Sequence, residues 1–341
     1  MCSCRGVTRS TAARGRRGLR VTGAPLLVDA VVGVFWPPMH QREVLAAEPS
    51  LVHAVLPHPF WGGRPQALHV AIESNRQAVF DLLLAAGADV DGANDAYDHW
   101  SPLMLAVQRK RPAMRDALLA RGARVGLAEA LLLGDDARLD DVLGEGPGAL
   151  PATAPNGGSW LMFARTPHAI ARLADAGASL DARDRWDTSP VEALSRLGPE
   201  GAPLVATLAR RGAVVTPTEY ARMGDVASLE RLQADAAVDV RSDAVLLAAV
   251  DARQTATVRW LLGAGASANA RATRGSRHTA LHAAAWSGDL AIARLLVEAG
   301  ADLTARDLEH DATPLGWAET SVVVTGDPAV PAVVAYLRGL A

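Results

Sequence analysis

The sequence predicts an all-α protein built as a stack of short helix-turn-helix units, and three observations support that prediction. Segments similar to residues 279–307 recur along most of the chain. Glycines that can end a helix recur at a spacing close to 35 residues. The composition is 50% hydrophobic but only 4% aromatic, which favours closely packed helices over a sandwich with a bulky core. We expect about nine units, two of them abbreviated.

The most regular unit is residues 279–307. Thr279 is placed to cap a first helix, and Gly288 followed by Asp289 is placed to end that helix and cap a second one. Gly300 then ends the second helix, because a residue at that position usually needs a positive φ angle. Apolar residues of the second helix have the spacing of one helix face: Ile292, Leu295, Leu296 and Ala299. Such a face needs a neighbouring unit to cover it.

Helix-ending glycines set the length of the units. Their positions form a series: Gly87, Gly122, Gly177, Gly212, Gly265 and Gly300. The successive separations are 35, 55, 35, 53 and 35 residues. Each longer gap has room for one extra pair of short helices, which we predict at residues 128–143 and 219–232, and both pairs keep the Gly-Asp break. We interpret these pairs as abbreviated units rather than foreign insertions.

Four parts of the chain depart from the regular unit. Residues 41–54 are predicted as a second helix without a first partner, which would open the stack. The unit at residues 160–180 is about three residues short, so its first helix is predicted to be clipped. Residues 188–215 are slightly long. The last unit starts a first helix at Thr313 and then meets the run SVVVTGDPAVP before its second helix, which is predicted over residues 332–340.

Several segments have the residues of a known repeat. Residues 65–90 read PQALHVAIESNRQAVFDLLLAAGADV, residues 101–125 read SPLMLAVQRKRPAMRDALLARGARV, and residues 279–303 read TALHAAAWSGDLAIARLLVEAGADL. These segments resemble ankyrin repeats, whose pattern is T-P-L-H-x-A with a period of about 33 residues. The resemblance covers residues 40–338 and implies an ankyrin-repeat solenoid. Ankyrin proteins generally hold partner proteins with their finger loops and concave face, so the resemblance implies a non-enzymatic scaffold or adaptor.

Motifs that would indicate catalysis or metal binding are incomplete. His278 and His282 have the spacing of the zinc motif H-E-x-x-H, but Thr279 occupies the position of its glutamate. His282 instead matches the histidine of the ankyrin pattern, which implies a structural hydrogen bond. The glycines of residues 144–148 lack the lysine of a phosphate loop. We predict no catalytic residue, no metal and no cofactor; the alternative is a hydrolase or metal-dependent enzyme on a repeat scaffold.

The distribution of charge limits the class of partner. The formal net charge is −3, but residues 1–20 carry six arginines and no acidic residue, so the rest of the chain sums to −9. A body of that sign is a poor match for the phosphates of nucleic acid. We therefore expect a protein partner, no nucleic acid, and a monomeric scaffold.

The N-terminal segment differs in composition from the repeats. We interpret residues 1–38 as a basic, disordered tail or a misassigned start, and residues 39–341 as the ankyrin-repeat domain. A secretory signal that uses the arginine pair at residues 16–17 is the alternative, and it would make the protein secreted or envelope-bound. The apolar run in this segment is too short and interrupted for membrane insertion. Two cysteines occur, both close to the start, which fits a cytoplasmic location: Cys2 and Cys4.

Partner contacts are expected on the longer finger loops. An aromatic residue beside carboxylates suits a contact patch, and clustered arginines suit an acidic or phosphorylated segment. The predicted contact residues are Tyr97, Asp98, His99, Arg185, Trp186, Arg271, Arg274, Arg277, Glu309 and His310. An ordinary solvated loop is the alternative for each finger.

Overall fold

The computed structural model of the protein describes residues 45–55, 63–92, 94, 100–144, 150–235 and 238–340. Within these residues the regular secondary structure is helical, and the β-type pairings are two isolated bridges, Val55 with Gln66 and Arg271 with Thr279. The prediction of an all-α repeat fold is confirmed. The predicted tail at residues 1–38 lies outside the described residues. Backbone contacts divide the chain into two compact parts, residues 1–123 and residues 124–341. They are called the first unit and the second unit below, and each contains several of the repeat units.

The first unit contains two helix pairs in its described part. They are Ala67–Glu73 (α1) with Gln77–Ala85 (α2), and Pro102–Gln108 (α3) with Pro112–Ala120 (α4). The helix predicted over residues 41–54 is broken. A short helical turn at residues 45–47 is followed by the 3-10 helix Pro49–His53, because the Pro49 ring carries no N–H to continue the turn. Leu68 and Phe80 are fully buried where α1 packs on α2.

The described part of the second unit contains seven helix pairs. They are Leu127–Leu133 (α5) with Asp136–Leu143 (α6), the 3-10 helix Trp160–Phe163 with Pro167–Asp175 (α7), Pro190–Ser195 (α8) with Ala202–Arg210 (α9), Pro217–Met223 (α10) with Val226–Ala234 (α11), Asp243–Asp251 (α12) with Thr255–Gly263 (α13), Ala280–Trp286 (α14) with Leu290–Glu298 (α15), and Pro314–Thr325 (α16) with Val330–Arg338 (α17). First helices pack on one another in chain order, and the apolar side chains of α10 to α17 form one continuous core.

Positive φ angles end the helices where the spacing predicts. The six helix-ending glycines of the series have φ angles between 79° and 99°. Gly288, which ends a first helix, has φ 70°, and Asp289 then caps α15 by accepting a hydrogen bond from the Ile292 N–H at 3.0 Å. The same Gly-Asp arrangement ends α5 and α10. Units without this glycine place a longer side chain at positive φ: Asn75, Lys110 and Arg253.

The irregular units take the forms that their lengths predict. The clipped first helix is the 3-10 helix Trp160–Phe163, a single tight turn in place of an α-helix. The long unit holds an extra 3-10 helix, Gly198–Gly201, between α8 and α9. Each accommodates a change in length between helices, so the stacking of the units is preserved.

Two details of the last units differ from the sequence prediction. The run of valines does not interrupt α16, which continues to Thr325 until Gly326 ends it at φ 64°, and leaves Val323 84% exposed. The buried face of α15 is formed by Ile292, Ala293 and Leu296. Leu295 is only partly buried, and Ala299, the residue that follows the last turn of α15, is exposed.

Candidate functional site

Two neighbouring fingers of the second unit hold half of the predicted contact residues: Arg271, Arg274, Arg277, Glu309 and His310. Residues 270–279, before α14, are named the Arg finger here, because they contain three arginines and no acidic residue. Residues 305–313, before α16, are named the acidic finger, because they contain three acidic residues. The site is built from these two fingers and from the helices that follow them.

A guanidinium group closes each finger across its base. In the Arg finger, Arg271 Nη1 donates a hydrogen bond to the Arg277 carbonyl oxygen at 3.0 Å. In the acidic finger, Arg306 Nη1 donates to the Asp311 carbonyl oxygen. The accepting residues have positive φ angles of 49° and 50°. Both fingers are therefore loops closed by a hydrogen bond from an arginine to a carbonyl oxygen, and we call this bond the arginine clamp.

The two fingers are also bonded to each other. Arg271 Nη1 donates a second hydrogen bond to the Arg306 carbonyl oxygen at 3.1 Å, and the Leu308 N–H donates to the Ser276 carbonyl oxygen at 2.7 Å. The fingers thus form one continuous surface. Arg271, predicted as a partner contact, has its guanidinium engaged in holding this surface together.

Asp307 is the polar centre of the acidic finger. Its side chain has no exposed area, and its carboxylate accepts hydrogen bonds from the N–H groups of Glu309, His310 and Ala312 at 2.9, 2.7 and 3.2 Å. The Trp317 indole Nε1–H donates a fourth bond at 2.8 Å. Burial alone would raise the pKa of Asp307, but these four donors outweigh it and hold the pKa below its usual range. Asp307 is therefore an ionised structural group that fixes Trp317.

His282 connects the start of α14 to the acidic finger. The Thr279 N–H donates to His282 Nδ1 at 3.2 Å, so the ring proton lies on Nε2, which donates to the Ala312 carbonyl oxygen at 3.0 Å. Burial lowers the pKa of His282. In the first unit, His69 Nε2 bonds the Trp100 carbonyl oxygen at 3.1 Å, and burial lowers its pKa to about 4. Both histidines are neutral structural links between units.

An aromatic pocket opens beside the two fingers. The Trp317 ring lies 5.2 Å from the His278 ring and 5.3 Å from the His282 ring, between centroids. The Trp286 ring meets Trp317 edge to face at 5.9 Å. The cavity is about 350 Å³ and mainly apolar, and we name it the Trp pocket; its lining residues are Trp286, His310, Ala312, Trp317 and Thr320. Trp286 is 37% exposed, so an apolar surface is open to a ligand.

Charged side chains are exposed on the two fingers beside the Trp pocket. Arg274 and Arg277 are exposed, and neither forms an ion pair with any described residue. In the acidic finger, Glu309 is exposed. The His310 side chain is 63% exposed, and its Nδ1 lies 3.4 Å from Asp307 Oδ1. The pocket is therefore lined in part by the acidic finger, and His278 at the end of the Arg finger packs on its Trp317.

The remaining predicted contacts lie elsewhere. Arg185 and Trp186 belong to the finger before α8, three helix pairs earlier in the chain. The Arg185 guanidinium lies 4.3 Å from the Trp186 ring centroid, and Trp186 is 60% exposed. Three predicted contacts fall outside the described residues: Tyr97, Asp98 and His99.

Apart from His310, sequence reasoning missed the residues that line the Trp pocket. Trp286 ends the first helix of one unit, and Trp317 and Thr320 belong to the first helix of the next. The sequence showed two tryptophans at helical positions in units that are otherwise poor in aromatic residues. Their separation of 31 residues is close to one repeat period, and that spacing was the available signal.

Metal and membrane sites have no support in the described part of the chain. Among these residues, no group of three or more His, Cys, Asp or Glu side chains is arranged to hold a metal ion. No described helix has both the length and the apolar character that crossing a membrane requires.

Comparison with known proteins identifies repeats at two places. Residues 67–95 match the family model of the ankyrin repeat, and residues 219–307 match the model of ankyrin repeats in three copies. No curated protein matches the chain.

Solved structures that are similar to this chain include two ankyrin repeat domains. One is that of Bcl-3, described as a unique member of the IkappaB protein family, with 23% identity over 76% of this chain and 97% of the other, at a TM-score of 0.29. The other is that of human ASB11, with 20% identity over 76% of this chain and 98% of the other, at a TM-score of 0.28. Superpositions this loose carry no argument about the site.

Proposed function

We propose that this chain is a non-enzymatic scaffold that binds a partner protein through its fingers and the groove beside them, because it contains ankyrin repeats and such repeats generally mediate protein–protein interactions. The observation that supports the proposal most directly is the Trp pocket. An open aromatic cleft beside two charged loops has the composition of an interface centre, where tryptophan and arginine are enriched.

The polar groups around the pocket support a binding role over a catalytic one. Asp307 is occupied by four donors, and His282 is neutral and bonded through both ring nitrogens. The Thr320 hydroxyl, which lines the pocket, donates to the Gly316 carbonyl oxygen at 2.9 Å. A catalytic nucleophile needs a base within hydrogen-bond reach, and these groups are used to hold the fold instead. We infer a cytoplasmic, monomeric protein that works by contact alone.

Capture experiments with matched variants test the scaffold proposal. The full chain is immobilised beside its Trp286→Ala, Trp186→Ala and Glu298→Ala variants, and the proteins retained from an extract of the source organism are identified. Glu298 is exposed on a second helix, away from the fingers, so it serves as the control.

We expect a protein that binds the purified chain directly, that is lost with at least one tryptophan variant, and that is kept by Glu298→Ala. A partner that binds all three variants equally would locate the interface away from the fingers and groove. That result would contradict the proposal.

A further inference from the structure

The lining of the Trp pocket presents mainly uncharged groups. Asp307, the buried charge behind it, has its carboxylate satisfied by three backbone N–H groups and the Trp317 indole. A carboxylate with its acceptor sites filled offers little to an incoming cation. The exposed lining is mainly aromatic and apolar, and about 350 Å³ is near the lower end of the range for ligand pockets. The pocket therefore suits one bulky, uncharged side chain.

The Arg finger provides a basic patch on an otherwise acidic body. Arg271 is held by the carbonyl oxygens of Arg277 and Arg306, whereas the Arg274 and Arg277 side chains form no ion pair with a described residue. The chain beyond residue 20 sums to −9, so two such arginines on one loop depart from the average charge of the surface. Exposed arginines of this kind attract carboxylates at low ionic strength.

The basic patch and the Trp pocket are contiguous. His278 follows Arg277 directly in the chain, and its ring packs 5.2 Å from the Trp317 ring of the pocket. The acidic finger also borders the pocket, through His310 and Ala312, and its Glu309 is exposed. Acidic residues of an extended ligand are therefore favoured beside the Arg finger and disfavoured beside Glu309.

From this geometry, we propose that the Trp pocket and the Arg finger together bind a linear segment of the partner protein. The segment places a bulky uncharged side chain in the pocket and adjacent aspartate or glutamate residues on Arg274 and Arg277. The inference rests on the proposed scaffold function and names the chemistry of the partner.

Selection from a library of short random peptides tests this inference, with the full chain as bait. We expect the enriched peptides to share a Trp, Phe, Leu or Met beside acidic residues. A labelled synthetic peptide of the enriched sequence is then titrated by fluorescence anisotropy against the variants. Trp286→Ala is expected to raise the Kd about tenfold or more. The double variant Arg274→Ser with Arg277→Ser is expected to raise the Kd about threefold at low salt, and less at high salt.

Two further variants separate a local effect from misfolding. Thr320→Arg leaves both tryptophans in place but fills the pocket from an exposed position of α16, so it should abolish peptide binding while the circular dichroism spectrum stays unchanged. Trp186→Ala removes an exposed tryptophan on another finger and should leave the Kd within about twofold.

Three outcomes would overturn the inference and leave the scaffold proposal standing. One is that no peptide is enriched, since the scaffold then needs a folded partner. Another is that the selected peptides bind Trp286→Ala and Thr320→Arg as well as the unchanged chain. The last is dependence on the arginines alone, which would identify a site for polyanions. The scaffold proposal itself fails only if the capture variants described above have no effect.

Discussion

The finger at residues 182–189 reads ARDRWDTS, and the acidic finger at residues 305–313 reads ARDLEHDAT. Their backbones close in the same way. The Asp184 N–H donates to the Thr188 carbonyl oxygen at 3.1 Å, and the Asp307 N–H donates to the Ala312 carbonyl oxygen at 3.1 Å. In each finger the arginine before that aspartate donates to the carbonyl of a residue at positive φ. The two loops thus share the same backbone hydrogen bonds but differ in their side chains.

The surroundings of the two aspartates differ. Asp184 is partly exposed and accepts from the N–H groups of Trp186 and Thr188 and weakly from the Asn156 amide at 3.4 Å. Asp307 is buried and accepts an additional bond from Trp317, which reaches back from α16. The residue four positions after the cap of α8 is alanine, so no ring returns to the earlier finger. A finger becomes part of a pocket when the following helix supplies a large side chain.

Removal of the two aspartates should give the largest difference between the fingers. Asp307→Ala is expected to lower the free energy of unfolding by about 3 kcal/mol, because it takes the acceptor from four donors. Asp184→Ala is expected to lower it by about 1 kcal/mol. Urea unfolding followed by circular dichroism measures both. Equal losses would show that burial by Trp317 adds nothing to the turn.

Acid should weaken the acidic finger through Asp307. The pKa of Asp307 is lowered in the folded state, so its ionisation stabilises the fold above the unfolded pKa of about 3.9, and the contribution is lost as the pH falls through the lower folded value. The difference in unfolding free energy between the unchanged chain and Asp307→Asn should be constant above about pH 5 and shrink below about pH 4. A difference in unfolding free energy that stays constant from about pH 6 to about pH 3 would contradict the stabilising role of the ionised Asp307.

Removal of an arginine clamp should cost more free energy of unfolding where the arginine joins two fingers, as Arg271 does, than where it closes one finger, as Arg183 does. Arg271→Gln is expected to lower the unfolding free energy by about 1 kcal/mol, because Arg271 bonds carbonyl groups in two fingers. Arg183→Gln is expected to lower it by about 0.5 kcal/mol, since Arg183 bonds only within its own loop. Thermal unfolding of both variants provides the comparison, and a larger loss for Arg183→Gln would reverse it.

Trp186→Ala should have the smallest effect on stability. Trp186 is 60% exposed and is stacked with Arg185, so its removal is expected to change the unfolding free energy by less than about 0.5 kcal/mol. The measurement is the urea midpoint beside that of the unchanged chain. A loss comparable to that of Asp307→Ala would mean that Trp186 braces the neighbouring unit.

Local signals in the sequence predicted the helix ends that lie at the repeated glycines. The helix-ending glycines were predicted from spacing alone, because positive φ is a local requirement that few other residues meet cheaply. A hydroxyl residue directly before a proline also indicates a helix start, as at Ser101, Ser189 and Thr313, and each of these accepts a hydrogen bond from an N–H three residues later. Both kinds of signal act within a few residues of the chain.

Contacts between units could not be predicted in the same way. The simple spacing rule placed Ile292 and Leu296 correctly on the buried face of α15 but missed Ala293, because that face also depends on which neighbouring helices cover α15. Trp286 and Trp317 are 31 residues apart, and only the stacking of α14 on α16 brings their rings to 5.9 Å. The role of Arg271 depends on the carbonyl of Arg306, which belongs to the next finger.

The arginine clamp has a consequence for how this protein can change. It closes loops of three lengths, from Arg183 to residue 187, from Arg306 to residue 311 and from Arg271 to residue 277. The hydrogen bond joins the two ends of the loop, and it forms with different numbers of residues between them. Insertions at a finger tip are therefore tolerated without disturbing the helices below. The residues of a finger tip can therefore change, by natural drift or by grafting, while the hydrogen bond that closes the loop is kept.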